Sequence, residues 1–403
     1  MNILFLHRNF PAQFVHLAQY FAKDPNNKVV FITGRKEGNI ENVIKVVYEP
    51  VRQVSTQIHN YLKFTEDSIL HGQAAANVAI QLKNQGFVPD IIYGHIWGQT
   101  MFMKDVFPNT PLLCYFEWFY NAHDSDVDFV SQGKLDTNTE AKTRVKNSHI
   151  LVDLYSCDCG ITPTKYQLSQ FPKEFRHKIS VLHDGINTDY IKPSYESKLI
   201  LPNLDLSESN EIITYVSRGL EPYRGFPQFM EAAKIILERR PNCHIVVVGD
   251  DGVYYGAKLP EGQSFREIML KNLNLDSPRL HFTGRIPYNQ HVQVLQASSA
   301  HVYLTFPFVL SWSMMEAMAA GCLIIGSDTP PVRELIQDSH NGLLVDFFSP
   351  TSIADRVDVA LDNRETMMQL RQNARKTIEY NYQLKDLLPK HIDIINNLVN
   401  KKR

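Results

Sequence analysis

The stretch Leu304-Thr-Phe-Pro-Phe-Val-Leu-Ser-Trp-Ser-Met-Met-Glu-Ala-Met-Ala-Ala-Gly321 has the pattern of a buried strand, a loop and a buried helix. We predict that the strand ends at Thr305 and that the helix begins at Ser313, with Glu316 one turn inside it. Free N–H groups and hydroxyls at a helix start can bind an anion such as a pyrophosphate. The stretch therefore predicts one strand–loop–helix unit of a parallel α/β sheet, with an anion site where the helix begins.

The residues around this helix start are candidates for binding a diphosphate ligand: Ser311, Trp312 and Ser313. Glu316 would then lie close to whatever is attached to the diphosphate, and a carboxylate is a good acceptor for paired ribose hydroxyls. The alternative is that Glu316 only interacts favourably with the helix dipole. The apolar residues 317–319 make the rest of the helix a buried one, which favours the ribose interpretation.

A second strand end in the same half of the chain is Tyr215-Val-Ser-Arg-Gly-Leu-Glu-Pro-Tyr-Arg-Gly-Phe226. Here Arg218 and Arg224 flank a turn that contains glycine and proline. Two guanidinium groups beside a helix start can hold a diphosphate bidentately, although plain surface arginines are the alternative.

A third strand end is Phe282-Thr-Gly-Arg-Ile-Pro-Tyr288. Exposed backbone at Arg285 and Ile286 could meet a planar base through hydrogen bonds. Taken alone, this motif is a weak indication of a nucleotide site.

Short apolar runs alternate with helical periods along nearly the whole chain, which predicts parallel sheets covered on both faces. The predicted helices include Thr143–Tyr155, and Tyr195–Ser209 is predicted to be a polar insertion near a domain boundary. The predicted strands are Asn2–His7, Lys28–Thr33, Asp90–Tyr93, Leu112–Phe116, Cys159–Thr162, Ile179–Leu182, Ile212–Ser217, His244–Gly249, Leu280–Thr283, His301–Thr305, Leu323–Gly326 and Leu343–Val345. Two such series in tandem predict two doubly wound, Rossmann-like α/β domains, with a cleft at the carboxyl ends of their strands.

Composition narrows the functional class. The 403 residues are 44% hydrophobic, which is ample for two large cores and excludes a disordered chain. The net charge of -2 does not favour nucleic acid as the main partner. Five cysteines without a disulfide pattern, no run of about 18 apolar residues and no signal peptide predict a cytoplasmic protein with at most peripheral membrane contact.

These motifs resemble those of the retaining GT-B glycosyltransferases of the family-4 (group 1) type. The quoted stretches are similar to that family's GR-L-x-P-x-K-G turn, its base-binding loop and its EAMAxGxP helix. The segments His183-Asp-Gly-Ile-Asn187 and His7-Arg-Asn-Phe-Pro-Ala-Gln-Phe14 also resemble family segments. The resemblance implies an acceptor-binding domain over residues 1–189, a donor-binding domain over 190–380, and a C-terminal helix over 381–403 that crosses back to the first domain.

By this resemblance Glu316 binds the ribose and Arg218 the diphosphate of a nucleotide sugar such as a UDP-sugar. Arg224 occupies the place of the usual lysine, which keeps the charge but not the geometry. The family usually has a second glutamate eight residues before Glu316, where this chain has Phe308. Recognition of the transferred sugar is therefore reassigned to the neighbouring residues Phe308, Val309 and Leu310.

The first half contains candidates for catalysis and for acceptor binding. The family's catalytic histidine is absent after the strand Leu112–Phe116, so His95 at the end of another strand and Glu117 are the acid/base candidates. A structural histidine is the alternative for His95. Arg8 and Asn9 follow the first strand and are acceptor-side candidates, with a solvated turn as the alternative. No GxGxxG motif occurs there, so a dinucleotide site is not supported.

The predicted function is the metal-independent, retaining transfer of a sugar from a nucleotide sugar to a hydroxyl of a glycan, a lipid-linked saccharide or a small molecule. No cofactor and no metal are expected. The Asp-x-Asp-x-Asp run over 124–128 is interpreted as an acidic surface loop. The alternatives are a nucleotide-sugar epimerase on a similar fold, which would need no acceptor, and a non-catalytic donor-binding partner subunit, which would bind donor without turnover.

Overall fold

The computed structural model describes residues 1–194 and 197–402, and these form two compact units. Unit 1 comprises residues 1–184 together with those from 385 onward, and unit 2 comprises Gly185–Leu384. Within the described residues, no helix is both long enough and apolar enough to cross a membrane.

Unit 1 contains a seven-stranded parallel sheet with the strand order β3-β2-β1-β4-β5-β6-β7. Its central strands are uninterrupted apolar runs because both faces of the sheet are covered; Ile3, Leu4, Phe5 and Leu6 are all 0% exposed. The strands are β1 (Asn2–His7), β2 (Lys28–Thr33), β3 (Val43–Val47), β4 (Ile91–His95), β5 (Leu112–Tyr115), β6 (Cys159–Thr162) and β7 (Ile179–Val181). The helices are α1 (Val15–Ala22), α2 (Lys63–Asn84), α3 (Met103–Val106), α4 (Thr137–Lys146), α5 (Ser148–Ser156) and α6 (Lys165–Gln170).

The last helix of the chain, α14 (Leu384–Lys402), completes one face of unit 1. Its apolar side chains Leu387, Ile395 and Val399 join the hydrophobic core that contains Phe5 and Phe21. Burying this stripe attaches the C-terminal segment to the first sheet.

Unit 2 contains a six-stranded parallel sheet with the order β12-β11-β10-β13-β14-β15. The strand order reverses direction between β10 and β13, and ligands of such sheets bind beyond the carboxyl ends of the strands at that point. The sheet strands are β10 (Ile212–Gly219), β11 (His244–Asp250), β12 (Leu280–Gly284), β13 (Ala300–Tyr303), β14 (Ile324–Ser327) and β15 (Leu343–Val345). The helices are α7 (Phe226–Arg239), α8 (Phe265–Leu273), α9 (Tyr288–Gln296), α10 (Trp312–Ala319), α11 (Pro330–Arg333), α12 (Pro350–Asp362) and α13 (Arg364–Asn381).

Two doubly wound parallel sheets therefore confirm the predicted fold class, while local details differ. The predicted helix Thr143–Tyr155 is two helices that meet at Asn147, because the Asn147 side chain bonds both the N–H and the C=O of Tyr120, at 2.8 Å each. Of the predicted insertion, Tyr195 and Glu196 lie outside the described residues. Part of the remainder is a hairpin of β8 (Ile200–Leu201) and β9 (Leu204–Asp205).

Candidate functional site

The donor-side candidates gather at the carboxyl edge of the unit 2 sheet, after β10, β12 and β13. Parallel strands end at the same edge, so residues far apart in sequence meet there. Arg218 is the penultimate residue of β10, and Arg224 ends a single 3₁₀ turn over Pro222–Arg224. The next residue, Gly225, has a φ of 65°, and a Cβ added there would lie 2.4 Å from Cβ of Leu304. Glycine at 225 thus lets the turn approach the end of β13.

Arg224 is only 6% exposed, so it is not a plain surface arginine. Its Nη1 lies 2.8 Å from the Thr305 hydroxyl, 3.0 Å from the Val309 carbonyl and 3.2 Å from the Tyr303 hydroxyl. Its own carbonyl accepts a hydrogen bond from the Tyr215 hydroxyl at 2.7 Å. All three of these hydrogen bonds use one terminal nitrogen, so the guanidinium is anchored at that end to the loop that leads into α10.

That loop ends in a capped helix start. Ser311 is the N-cap of α10, and its hydroxyl accepts the N–H of Ser313 at 3.3 Å and lies 2.9 Å from the Ser313 hydroxyl. The backbone N–H of Ser311 donates to the Tyr303 hydroxyl at 2.9 Å. Trp312, the first residue of the helix, is exposed. Arg224 and the start of α10 are therefore linked through one tyrosine.

The three sugar-side candidates have different environments. Phe308 is buried against the edges of Tyr223 and Tyr255, with ring centroids 5.5 and 5.3 Å away. Val309 offers its carbonyl to Arg224, and Leu310 belongs to the hydrophobic core of unit 2. Of these, Phe308 and Leu310 are packed as apolar residues of the domain.

Glu316 is partly buried, and both of its carboxylate oxygens are occupied. Oε1 accepts a hydrogen bond from the Tyr288 hydroxyl at 2.6 Å, and Oε2 lies 3.0 Å from Nε2 of His291. Partial burial and the Glu316 carboxylate raise the pKa of Tyr288. Tyr288 and His291 were not among the predicted site residues; the available signal was that Tyr288 ends the third motif and begins α9. These contacts fix the orientation of the carboxylate more firmly than a helix dipole would.

Arg218 and Arg285 both contact Tyr254, a residue that was not among the predicted site residues. Arg218 lies over the Tyr254 ring at 4.1 Å from its centroid. Arg285 pairs with Asp250 and contacts the Tyr254 hydroxyl. Ile286, next to it, is half-buried against the core around the β8–β9 hairpin. An aromatic ring thus connects two of the three predicted motifs.

The two acid/base candidates meet in unit 1. His95 ends β4 and is 0% exposed, and its Nε2 lies 3.6 Å from Oε2 of Glu117. Neither ring nitrogen of His95 has a hydrogen-bond partner among residues 1–194 and 197–402. The His7 ring lies 4.7 Å from that of His95, and burial lowers the pKa of His7 well below its usual range. Gln13 donates to Oε1 of Glu117 at 3.4 Å.

The acceptor-side candidates are not in a solvated turn. Arg8 is partly buried; its Nε donates to the Trp97 carbonyl at 3.0 Å, and it forms an ion pair with Asp67 at 2.6 Å. The N–H of Asn9 donates to Nδ1 of His7 at 2.8 Å. Both residues therefore help to shape the carboxyl ends of β1 and β4.

The acidic run over 124–128 folds onto itself. The Asp128 carboxylate accepts the N–H groups of Asp124 at 2.9 Å and Ser125 at 3.1 Å. Across the described part of the chain, no three His, Cys, Asp or Glu side chains converge as metal ligands would.

Known proteins resemble both units. Residues 25–191 match the sequence model of the glycosyl transferase family 4 group, and residues 198–377 match that of the glycosyl transferases group 1. The D-inositol 3-phosphate glycosyltransferase of Corynebacterium glutamicum is 24% identical over 71% of this chain and 67% of its own length. An uncharacterized glycosyltransferase of Methanocaldococcus jannaschii, MJ1069, is 23% identical over 55% of this chain, which spans only 53% of that relative.

Solved structures have the same fold. Anabaena Alr3699/HepE, crystallised with UDP-glucose, aligns over 98% of this chain and 100% of its own, with a TM-score of 0.69 at 15% identity. The sucrose-phosphate synthase of Thermosynechococcus elongatus aligns over 100% of both chains, with a TM-score of 0.74 at 14% identity. With two family models that cover the two units in turn, the chain belongs to the group 1 glycosyltransferases of the family-4 type, on the GT-B fold.

Proposed function

We propose that this protein transfers a sugar from a nucleoside-diphosphate sugar to an acceptor hydroxyl, with retention of configuration and without a metal ion. The observation that supports this most is the convergence of Arg224, the capped start of α10 and the oriented carboxylate of Glu316 at one sheet edge. The Anabaena protein of the same fold has been crystallised with UDP-glucose, which supports a donor of this class.

Each part of the nucleotide sugar then has binding residues in unit 2. Arg218, Arg224 and the positive end of α10 bind the diphosphate, because guanidinium groups and the dipole at a helix start attract phosphate. Glu316 accepts hydrogen bonds from the ribose hydroxyls, held in place by Tyr288 and His291. The backbone around Arg285 and Ile286 binds the base.

Chemistry at this site is mainly electrostatic. The bond between the sugar C1 and the diphosphate oxygen breaks while the acceptor oxygen bonds to C1 from the same face. The acceptor proton passes to the departing diphosphate, whose negative charge Arg218, Arg224 and the start of α10 stabilise. No metal is needed, because these groups supply the positive charge.

Unit 1 supplies the acceptor side in this proposal. His95 and Glu117, 3.6 Å apart, lie at the carboxyl ends of β4 and β5, where ligands of parallel sheets bind. Arg8 and Asn9 border the same edge. The acceptor class is a hydroxyl-bearing glycan, lipid-linked saccharide or small molecule.

UDP should stabilise the protein equally well with Mg²⁺ and with EDTA. At a concentration of 100 times Kd the free energy of unfolding should rise by about 2.7 kcal/mol. Thermal unfolding with a panel of nucleoside diphosphates and their sugars, each in both buffers, measures this. Stabilisation that EDTA abolishes would contradict metal-free binding, and no stabilisation by any nucleotide would contradict the proposed function.

Glu316→Gln should weaken UDP binding by about 10- to 100-fold while the fold survives, because one hydrogen bond to a charged group contributes about 1.5–3 kcal/mol. Isothermal titration measures the Kd. Glu365→Gln is the control: Glu365 is the acidic residue in the first turn of α13, so its loss changes only a helix-start charge. If both variants bind UDP as tightly as wild type, Glu316 does not bind the ribose and only interacts with the helix dipole.

A further inference from the structure

Glu221, in the turn after β10, is a buried carboxylate that holds a distant loop. It is 0% exposed, and its two oxygens accept three consecutive backbone N–H groups. Tyr254 donates to Oε1 at 2.9 Å, Tyr255 to Oε2 at 3.0 Å, and Gly256 to Oε2 at 2.8 Å. Residues 252–256, named here the tyrosine loop, follow β11 by one residue.

Backbone N–H groups, not a cationic side chain, bind the Glu221 carboxylate. Within the described ranges of the chain, no Lys, Arg or His lies within ion-pair distance of this carboxylate. Successive N–H groups that point to one spot form an anion-binding concavity, and here the bound anion is a side chain of the protein itself. Hydrogen bonds to an ionised acceptor are about twice as strong as neutral ones. The three bonds therefore fix the path of the tyrosine loop.

Glycines let this loop lie directly against the end of β10. A Cβ at Gly219 would lie 2.2 Å from the Gly252 carbonyl oxygen, and a Cβ at Gly252 would lie 2.8 Å from Oδ1 of Asp250. The Asp250 carboxylate also accepts the N–H of Gly252 at 2.8 Å and the Tyr254 hydroxyl at 2.7 Å. The loop is thus fixed at both ends by carboxylates.

The position of the loop places one tyrosine beside each donor-site arginine. The Arg218 guanidinium lies 4.1 Å from the centroid of the Tyr254 ring, and that of Arg224 lies 5.1 Å from the Tyr255 ring. A ring face attracts a guanidinium and restricts the directions in which its N–H groups can point. A phosphate bound by two arginines requires those directions to be correct.

We propose that Glu221 is a positioning residue of the donor site, which acts through the tyrosine loop to orient Arg218 and Arg224 for the diphosphate. The proposal rests on the proposed function, and it makes Tyr254 and Tyr255 determinants of donor affinity. Glu221 does not touch the donor; removing its charge acts only by releasing the loop.

The test begins with the protein free of ligand. In Glu221→Gln the amide cannot accept all three N–H bonds, so hydrogen exchange at residues 254–256 should accelerate, while exchange in β10 and β11 stays unchanged. UDP affinity, measured by titration, should then fall by about tenfold, a typical coupling within one contact network. If Glu221→Gln does not fold, Glu221→Asp, which keeps the charge but shortens the reach, goes through the same two measurements.

A control variant and a mutant cycle distinguish a positioning role of Glu221 from a general effect on stability. Asp338→Asn removes another carboxylate that accepts a backbone N–H of unit 2, that of Leu344 at 2.7 Å, and should leave UDP affinity unchanged. The Glu221→Gln effect on UDP affinity should vanish in a Tyr254→Ala/Tyr255→Ala background, because the route to the arginines is already lost.

Three results would overturn the proposal, and they are distinguishable. If wild-type protein binds UDP and Glu221→Gln binds it equally well, Glu221 has no role in the donor site although the function survives. If wild-type protein binds no nucleoside diphosphate, the function and the donor-site role are both wrong. If Glu221→Gln lowers UDP affinity by the same factor in the Tyr254→Ala/Tyr255→Ala background, Glu221 does not act through the tyrosine loop.

Discussion

Arg224→Met is expected to lower kcat/KM for the donor by about 10²- to 10³-fold and to remove most of the affinity for UDP. Its guanidinium neutralises the departing diphosphate in the proposed mechanism, and losing one preorganised donor of this kind costs about 2.7–4 kcal/mol in the transition state. The loss also leaves the Thr305 hydroxyl and the Val309 carbonyl without that donor, at about 1–3 kcal/mol of unfolding free energy per group. Steady-state kinetics and UDP titration on the folded variant measure the effect.

Arg279→Met is the matched control for this substitution. Arg279 also lies in unit 2 and donates to three backbone carbonyls, those of Leu237, Arg240 and Cys243. It directly precedes β12, however, and so lies at the amino ends of the strands, away from the candidate donor site. Its loss should lower the melting temperature and leave UDP affinity unchanged. Arg224→Lys, which restores the residue usual in the family, should recover much of the binding. An Arg224→Met protein that differs from wild type only in stability, as Arg279→Met should, would refute the phosphate role.

The parallel sheets could be predicted because their strands are buried on both faces and appear as short apolar runs. The strand β3 was not predicted because it is the edge strand of its sheet and is not buried on both faces. Ile44 is exposed there, and Lys45 interrupts the apolar run. Helix α8 was missed because it follows a long polar connection from β11. The break at Asn147 depends on a contact with Tyr120, 27 residues away, which no local pattern contains.

The site could be predicted only as far as topology determines it. Arg218 lies in the last part of β10, and Arg224 and Glu316 follow strands of the same parallel sheet, so their common location at the carboxyl ends follows from the alternation of strands and helices. The partners that orient these side chains cannot be predicted from that alternation. Tyr288 reaches Glu316 from α9, and Glu221 binds N–H groups more than 30 residues away. Such contacts depend on loop conformations and three-dimensional packing, which periodicity does not encode.

Phe308, at the place of the family's usual glutamate, is the residue whose role topology leaves most open. The structure places it at 7% exposure within an aromatic cluster: the Tyr223 ring lies 5.5 Å away and in turn stacks on Phe306 at 4.7 Å. The Tyr255 ring, part of the tyrosine loop, lies 5.3 Å away on another side. A side chain packed this way contributes to stability whether or not it also borders the sugar.

Phe308→Ala is therefore expected to lower the free energy of unfolding by about 3–5 kcal/mol, the usual effect of truncating a buried phenylalanine. Denaturant unfolding measures this, and Phe308→Leu is the control, because it keeps most of the apolar volume and should cost far less. UDP affinity of the folded variant should stay nearly intact, since the proposed function assigns Phe308 to the side of the transferred sugar and not to the nucleotide. A sharp loss of turnover with unchanged stability and unchanged UDP binding would contradict the packing role and would show that the ring covers the sugar's apolar face.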